Sequence, residues 1–207
     1  MKEGEFWFPY WGALLIKTVI PSSFQNKLLA EGEKAKIDHR IELAGMIEKE
    51  YRYENYEDWF LPQFQPLLKI YEEKQKDGWQ SNRIKSPFEI KNSNLWINYQ
   101  KCNEFNPRHS HDGDLSFVIY LKIPKELVEE NNKTTAIHNN AGTGTIQFYY
   151  GEQLPFCRNA HEELPNEGDI FIFPAWLQHS VSPFFSDVER ISVSGNIYLQ
   201  HHAYTQN

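Results

Sequence analysis

The spacing of hydrophobic positions changes near residue 88. Before that point a short β segment, Ala13 to Ile20, stops at Pro21, and Ser22-Ser23 then stands as an N-cap for a helix through Phe24, Leu28 and Leu29 that Gly32 ends. The next stretch, through Ile41, Leu43, Met46 and Ile47, predicts a modest helical segment. A stronger helical face follows at Trp59, Phe60, Phe64, Leu67, Leu68 and Tyr71, where spacings of three and four gather the apolar groups on one side. Pro62 and Pro66 fall inside it, which predicts a kink or a late start.

From about residue 88 the period shortens to two. Leu95, Ile97 and Tyr99 alternate with Trp96, Asn98 and Gln100, and strand-like runs recur at Ser116 to Ile123, Thr143 to Tyr150, Asp169 to Pro174 and Arg190 to Leu199. Helices followed by strands predict an α+β, mainly β chain whose core is a β-sandwich or jelly roll. The Asn- and Thr-rich stretch from Glu129 to Gly142 is too long for a tight turn and predicts a functional loop. With 207 residues the chain fits one domain, 1–207, divided into a helical support region at 1–87 and a β core at 88–200.

Composition supports a folded globule: 6 Trp, 11 Tyr and 14 Phe give 31 aromatic side chains, too many for a disordered chain. Net charge is 21 minus 28, or −7; residues 1–87 carry 13 basic and 14 acidic groups, and residues 88–207 carry 8 and 14. An acidic second half argues against a polynucleotide partner, which requires a basic stripe. Cys102 and Cys157 have no C-x-x-C partner, so both are expected to be free thiols of a cytoplasmic protein. The apolar stretch Gly12 to Ile16 is broken by Lys17 and preceded by Glu3 and Glu5, so neither a signal peptide nor a membrane span is expected.

Candidate chemistry concentrates at three places in the second half. In Asn106-Pro107-Arg108-His109-Ser110-His111-Asp112-Gly113-Asp114, an extended backbone points His109 and His111 to the same side, the geometry of a metal chelate. His179 lies where the apolar run ending at Phe173-Pro174 meets a short turn. Arg190-Ile191-Ser192 opens the last long strand, and a cation beside a hydroxyl on one strand face makes a carboxylate site.

In this order and spacing the segments resemble the Fe(II)/2-oxoglutarate-dependent oxygenase superfamily, over about residues 94 to 199. His109-Ser110-His111 falls where that superfamily carries H-x-D, Phe173 to Val181 resembles the segment with the distal histidine, and Arg190-Ile191-Ser192 resembles the co-substrate anchor. The first motif, reading H-x-H, is similar to a branch met in marine bacteria and their phages. The resemblance implies a double-stranded β-helix, cupin-like in form, with N-terminal helices packed on one sheet. It implies Fe(II) held by His109, His111 and His179, and 2-oxoglutarate held at its distal carboxylate by Arg190 and Ser192. Asn98 and Tyr120, placed by strand parity, are further candidates to hydrogen-bond the co-substrate. Dioxygen and an amino-acid, peptide or small-molecule substrate would complete the reaction, with succinate and carbon dioxide released and hydroxylation as the usual outcome. The stretch from Glu129 to Gly142 would then serve as a lid.

The departure from H-x-D leaves alternatives. His111 replaces an aspartate, which makes the site more positive by one charge, and Asp114 or Asp112 offers a carboxylate if the register slips. A three-histidine cupin-like dioxygenase or isomerase using no 2-oxo acid, and a non-catalytic jelly-roll module, remain alternatives; the Arg190 and Ser192 pair argues against the former. His39, His138, His161, His201 and His202 are read as background, the stripe from Trp59 to Tyr71 as core packing, and Trp96 and Trp176 as pocket lining.

Overall fold

The period-two alternation of the second half is satisfied by burial on both faces of one sheet. In the computed structural model, which describes residues 12–76, 87–137 and 142–200, a strand at Leu115–Lys122 (β6) turns Leu115, Phe117, Ile119 and Leu121 to one core and Val118 and Tyr120 to another. The strand at Asp169–Pro174 (β9) divides Ile170 and Ile172 from Phe171 and Phe173 in the same way. Such double burial explains why both runs read as nearly continuous apolar sequence.

The described chain is mostly β, with three helices. Ahead of β6 come β1 (Ile16–Val19), β2 (Ile37–Asp38), β3 (Glu50–Arg52), β4 (Ile90–Gln100) and β5 (Asn106–His109). Between β6 and β9 lie β7 (Ile146–Tyr149) and β8 (Ala160–Glu163), and β10 (Gln178–Val181) and β11 (Arg190–Leu199) complete the set. All pair antiparallel in two sheets: seven strands in the order β1-β9-β6-β11-β4-β3-β2, and four in the order β5-β10-β7-β8. The long pairing of β11 with β4 and β6 sets Ser192 opposite Asn98 on one side and Tyr120 on the other. Gly195 fits this lattice because a Cβ there would collide with the Asn94 carbonyl and the Phe117 ring.

Helices α1 (Ser22–Gly32) and α2 (Glu57–Lys76) cover the outer face of the larger sheet. Phe24, Leu28, Phe60, Phe64 and Leu68 meet Leu95, Ile97, Phe117 and Ile172 there, with the Phe64 and Phe117 rings 4.8 Å apart. At roughly 1.5–3 kcal/mol per fully buried large apolar side chain, this layer is a principal stabiliser of the sheet. The inner face, carrying Val118, Tyr120, Phe171 and Phe173, faces Ile146 and Phe148 of the four-stranded sheet. At one edge Lys17 links the sheets, contacting Glu163 of β8 and lying 2.9 Å from the buried Asp169 of β9.

Several expectations are corrected. The stretch around Ile41 to Ile47 forms a single 3-10 turn at Arg40–Glu42 instead of a helix, and Ile41 and Met46 are exposed, so no apolar face forms to hold one. Helix α1 begins at Ser22 as expected, but Pro21 occupies the N-cap and no side chain caps it. Helix α2 starts before Pro62 and runs past Pro66; both prolines are on its exposed side, and the buried face of Phe60, Phe64, Leu68 and Tyr71 holds it against the sheet. The expected loop from Glu129 is helical to residue 137, within α3 (Lys125–Ile137), which interrupts the strands instead of preceding them. Buried Leu127 and Asn131 anchor α3, the latter donating to the Thr143 carbonyl at 2.8 Å. His138, His201 and His202 lie outside the described residues. Cys102 and Cys157 are free. No helix among the described residues is long and apolar enough to cross a membrane.

Candidate metal centre

His109 is the last residue of β5, and across the antiparallel ladder its register partner is His179 of β10. The register shifts just beyond this pair, before Val181. His111 follows in the connection to β6, where its backbone N–H donates to the Ala175 carbonyl at 2.9 Å. That connection is fixed at its far end too: Asp114 accepts from the Leu199 N–H at 2.7 Å, and its own N–H donates to the Ile197 carbonyl. Gly113 makes the intervening turn with φ of +99°, a left-handed value that a side chain would strain.

These constraints converge three imidazoles. One nitrogen from each of His109, His111 and His179 lies within 4.8 Å of the others, the only such grouping of histidine, cysteine and acidic side chains among the described residues. The ring centroids of His109 and His179 are 4.3 Å apart, those of His109 and His111 4.8 Å, and those of His111 and His179 5.0 Å. Asp114 is engaged by Leu199 and stands outside the grouping, as does the exposed Asp112.

The chemistry of this donor set suits a divalent transition metal. His109 Nδ1 is 2.7 Å from the Pro107 carbonyl and His179 Nδ1 is 3.0 Å from the Leu177 carbonyl. A carbonyl only accepts, so each Nδ1 carries the proton and, in the neutral ring, each Nε2 keeps its lone pair for a metal. Burial lowers all three pKa values, that of His111 to about 4 and that of His179 to about 3, with neighbouring imidazoles adding to the effect at both. Neutral imidazoles are the form that ligates. Around them stand Trp96, 5.9 Å from His111, and Phe173, 4.8 Å from His179.

The same cleft extends from the histidines over the inner face of β4, β6 and β11. Asn98, Tyr120, Arg190 and Ser192, all singled out in the sequence, line it. Arg190 is 2% exposed. Its guanidinium donates to Gln100 Oε1 and to the Gly144 carbonyl and sits 5.4 Å from the Tyr120 ring, with no salt-bridge partner among the described residues. Asn98 donates to the Ser192 and Ser194 hydroxyls at 3.2 Å, while its Oδ1 and the buried Tyr120 hydroxyl have no partner among the described residues.

Sequence reasoning missed several residues here. Gln100 continues the strand parity of Trp96 and Asn98 and was recoverable from it; the Gly144 carbonyl had no signal. Leu43, Ala44, Gly45, Ile47 and Glu50 form one wall, although their segment carries no motif. His39 is 3% exposed and packs 5.4 Å from Trp96, so it is a buried residue behind the cleft and not a surface one. Trp176 is 56% exposed, packs against Tyr150 and does not line the cleft.

Three histidines and a buried unpaired arginine facing one cleft agree with what the chain resembles. A family model for 2OG-Fe(II) oxygenases matches residues 94–196. Over these residues the chain belongs to the Fe(II)/2-oxoglutarate-dependent oxygenase superfamily. No curated protein matches it significantly in sequence. Among solved structures it is similar to a prolyl-4-hydroxylase from Pseudomonas putida, with a TM-score of 0.56 and 13% identity over 90% of this chain and 92% of that one. HygX from Streptomyces hygroscopicus, solved with nickel, 2-oxoglutarate and hygromycin B, gives 0.52 and 11% over 89% and 81%. A Trichoplax adhaerens prolyl hydroxylase in complex with a hypoxia inducible factor peptide gives 0.52 and 11% over 90% and 83%. At such identities these likenesses speak for the fold.

Proposed function

We propose that the chain is an Fe(II)- and 2-oxoglutarate-dependent hydroxylase in which His109, His111 and His179 hold the iron while Arg190 and Ser192 hold the distal carboxylate of 2-oxoglutarate. The observation that carries this reading is the buried guanidinium of Arg190, without a salt-bridge partner among the described residues, in the cleft that the three imidazoles share. A cation at that depth is costly without an anion, and a dicarboxylate entering the cleft supplies one.

When bound, the iron supplies the oxidising chemistry: 2-oxoglutarate and dioxygen are converted to succinate and carbon dioxide, and one oxygen atom is inserted into a substrate C–H bond. The chain's own groups bind and orient. The Pro107 and Leu177 carbonyls hold the His109 and His179 rings in one tautomer. Gln100 and the Gly144 carbonyl aim the Arg190 guanidinium, and the aromatic rings of Tyr120 and Phe184 exclude water beside it. Asn98, already bonded to Ser192, and Tyr120 have an unpaired oxygen and an unpaired hydroxyl that fit hydrogen bonds to the co-substrate or its ordered water.

We read the strands of 88–200 as a double-stranded β-helix, with β1, β2 and β3 extending its larger sheet, and 1–207 as a single domain with 1–87 as its support. The prime substrate is taken to be an amino acid, peptide or small molecule, and free Cys102 and Cys157 suit a cytoplasmic setting. The test is anaerobic titration with Fe(II) and then 2-oxoglutarate, following the visible charge-transfer band of the chelate. A band that appears in the parent protein and is lost in His179→Ala supports the reading. No band in the parent protein overturns it.

A further inference from the structure

The cleft has a second end, away from Arg190, and its polar atoms there are acceptors. Glu50 on β3 is the register partner of Asn98, which is the partner of Ser192; Glu50 therefore stands two strands, roughly 10 Å, from the proposed co-substrate anchor. It is 1% exposed and, among the described residues, is the only acidic side chain lining the cleft. Neither its Oε2 nor the Asn106 Oδ1 has a hydrogen-bond partner among the described residues. The Glu50 and Asn106 side chains meet at Gly45: a Cβ there would collide with Asn106 Oδ1 and lie 3.4 Å from Glu50 Oε1. A glycine at this position thus leaves room for the two side chains, both of which line the cleft.

Two buried acceptors, one of them a carboxylate, call for a ligand rich in N–H donors, since a buried acceptor left unpaired costs about 1–3 kcal/mol and a charged one more. From this arrangement we infer that the prime substrate carries a cationic side chain, an ammonium or guanidinium group, which Glu50 binds with Asn106 beside it. The inference rests on the proposed hydroxylase reading and names its substrate class. Burial, the largest cause, and nearby Glu104 raise the Glu50 pKa against the smaller opposing effect of Arg40, so the charges around the carboxyl do not offset its burial.

The test is a binding measurement on the full chain loaded with Mn(II) and 2-oxoglutarate under nitrogen, so that no turnover is needed. The probes are N-acetyl-L-arginine methylamide against its citrulline counterpart, and N-acetyl-L-lysine methylamide against its Nε-acetylated form. At least one cationic probe should bind tenfold or more tightly than its neutral isostere, and Glu50→Gln should remove that preference while retaining cooperative unfolding. If Glu50→Gln fails to fold, Glu50→Asp, which keeps the charge but withdraws it by one carbon, should reduce the preference. Equal binding of cation and isostere by the parent protein overturns the inference, as does a preference that survives in Glu50→Gln. Titration of 2-oxoglutarate alone, before any probe, separates the outcomes: its failure to bind counts against the hydroxylase reading, and successful binding with no cation preference counts against this inference only.

Discussion

His109 and His179 face each other as a register pair across β5 and β10, their rings 4.3 Å apart, and each donates a hydrogen bond from Nδ1–H to a carbonyl two residues earlier in its own strand or turn. The pair is therefore rigid before any metal arrives, and His111, on a connection pinned by Ala175, completes it. Loss of an orienting partner alone typically costs 10–100-fold in metal affinity. His179→Ala should weaken Fe(II) binding by at least about 100-fold. His111→Asp, which supplies a carboxylate at the same place, should retain binding within about tenfold, while His111→Ala should not. Anaerobic metal competition measures all three; equal affinity of His111→Ala and the parent protein would remove His111 from the ligand set.

Arg190 invites a ligand-linked test. Wild-type protein in 2-oxoglutarate at about 100 times its dissociation constant should gain roughly 2.7 kcal/mol of stability. Arg190→Met removes a charge-assisted partner worth roughly 1.5–3 kcal/mol, so co-substrate affinity should fall about 10- to 150-fold and the stabilisation at the same concentration should drop to roughly 0.3–1.4 kcal/mol. Thermal unfolding with and without 2-oxoglutarate measures this. An undiminished shift in Arg190→Met would mean that the anchor is elsewhere.

The parts of this site legible in sequence are those governed by strand parity. Asn98, Tyr120 and Ser192 lie on one inner face because period-two alternation fixes which side chains point together, and the register of β11 with β4 and β6 then sets them side by side. The histidines were legible for a related reason, a fixed spacing beside strands. Glu50 was not, because β3 has only three residues and joins the sheet through pairing with β4, a long-range contact that no local pattern announces. Residues 129–137 of α3 read as loop in the sequence because the polar Asn-Asn-Lys-Thr-Thr run has low helical propensity, and burial of Leu127 and Asn131 overrides it.

The Tyr120 hydroxyl is buried without a partner among the described residues, a state that costs folding energy unless a ligand repairs it. Tyr120→Phe should therefore stabilise the ligand-free protein by about 1 kcal/mol, and it should weaken 2-oxoglutarate binding by about 3- to 10-fold. Denaturant midpoints give the first quantity and calorimetric titration the second. Destabilisation of the ligand-free protein with unchanged 2-oxoglutarate affinity would assign the hydroxyl a purely structural role.

Glu50 also makes a prediction about pH. Burial first, then Glu104, raises its folded-state pKa from 4.5 to about 7. Below pH 4.5 the carboxyl is protonated in both folded and unfolded chains and its titration exerts no effect; as pH rises towards 7 the unfolded chain releases the proton while the folded chain still holds it. Stability is therefore lost with rising pH across this window, by up to roughly 3 kcal/mol at about 1.4 kcal/mol per unit of difference. His109, His111 and His179, whose pKa values are lowered, act oppositely: their contribution is present above about 6.5 and is lost as pH falls. The Glu50 effect must accordingly be read as the difference between wild-type protein and Glu50→Gln, from urea midpoints at pH 5, 6, 7 and 8. The stability advantage of Glu50→Gln should grow steadily from pH 5 to 7 and level off near 8. A difference that stays flat would show that the carboxylate is already matched by a partner in the folded protein, and the cleft would then have no need of a cation at that end.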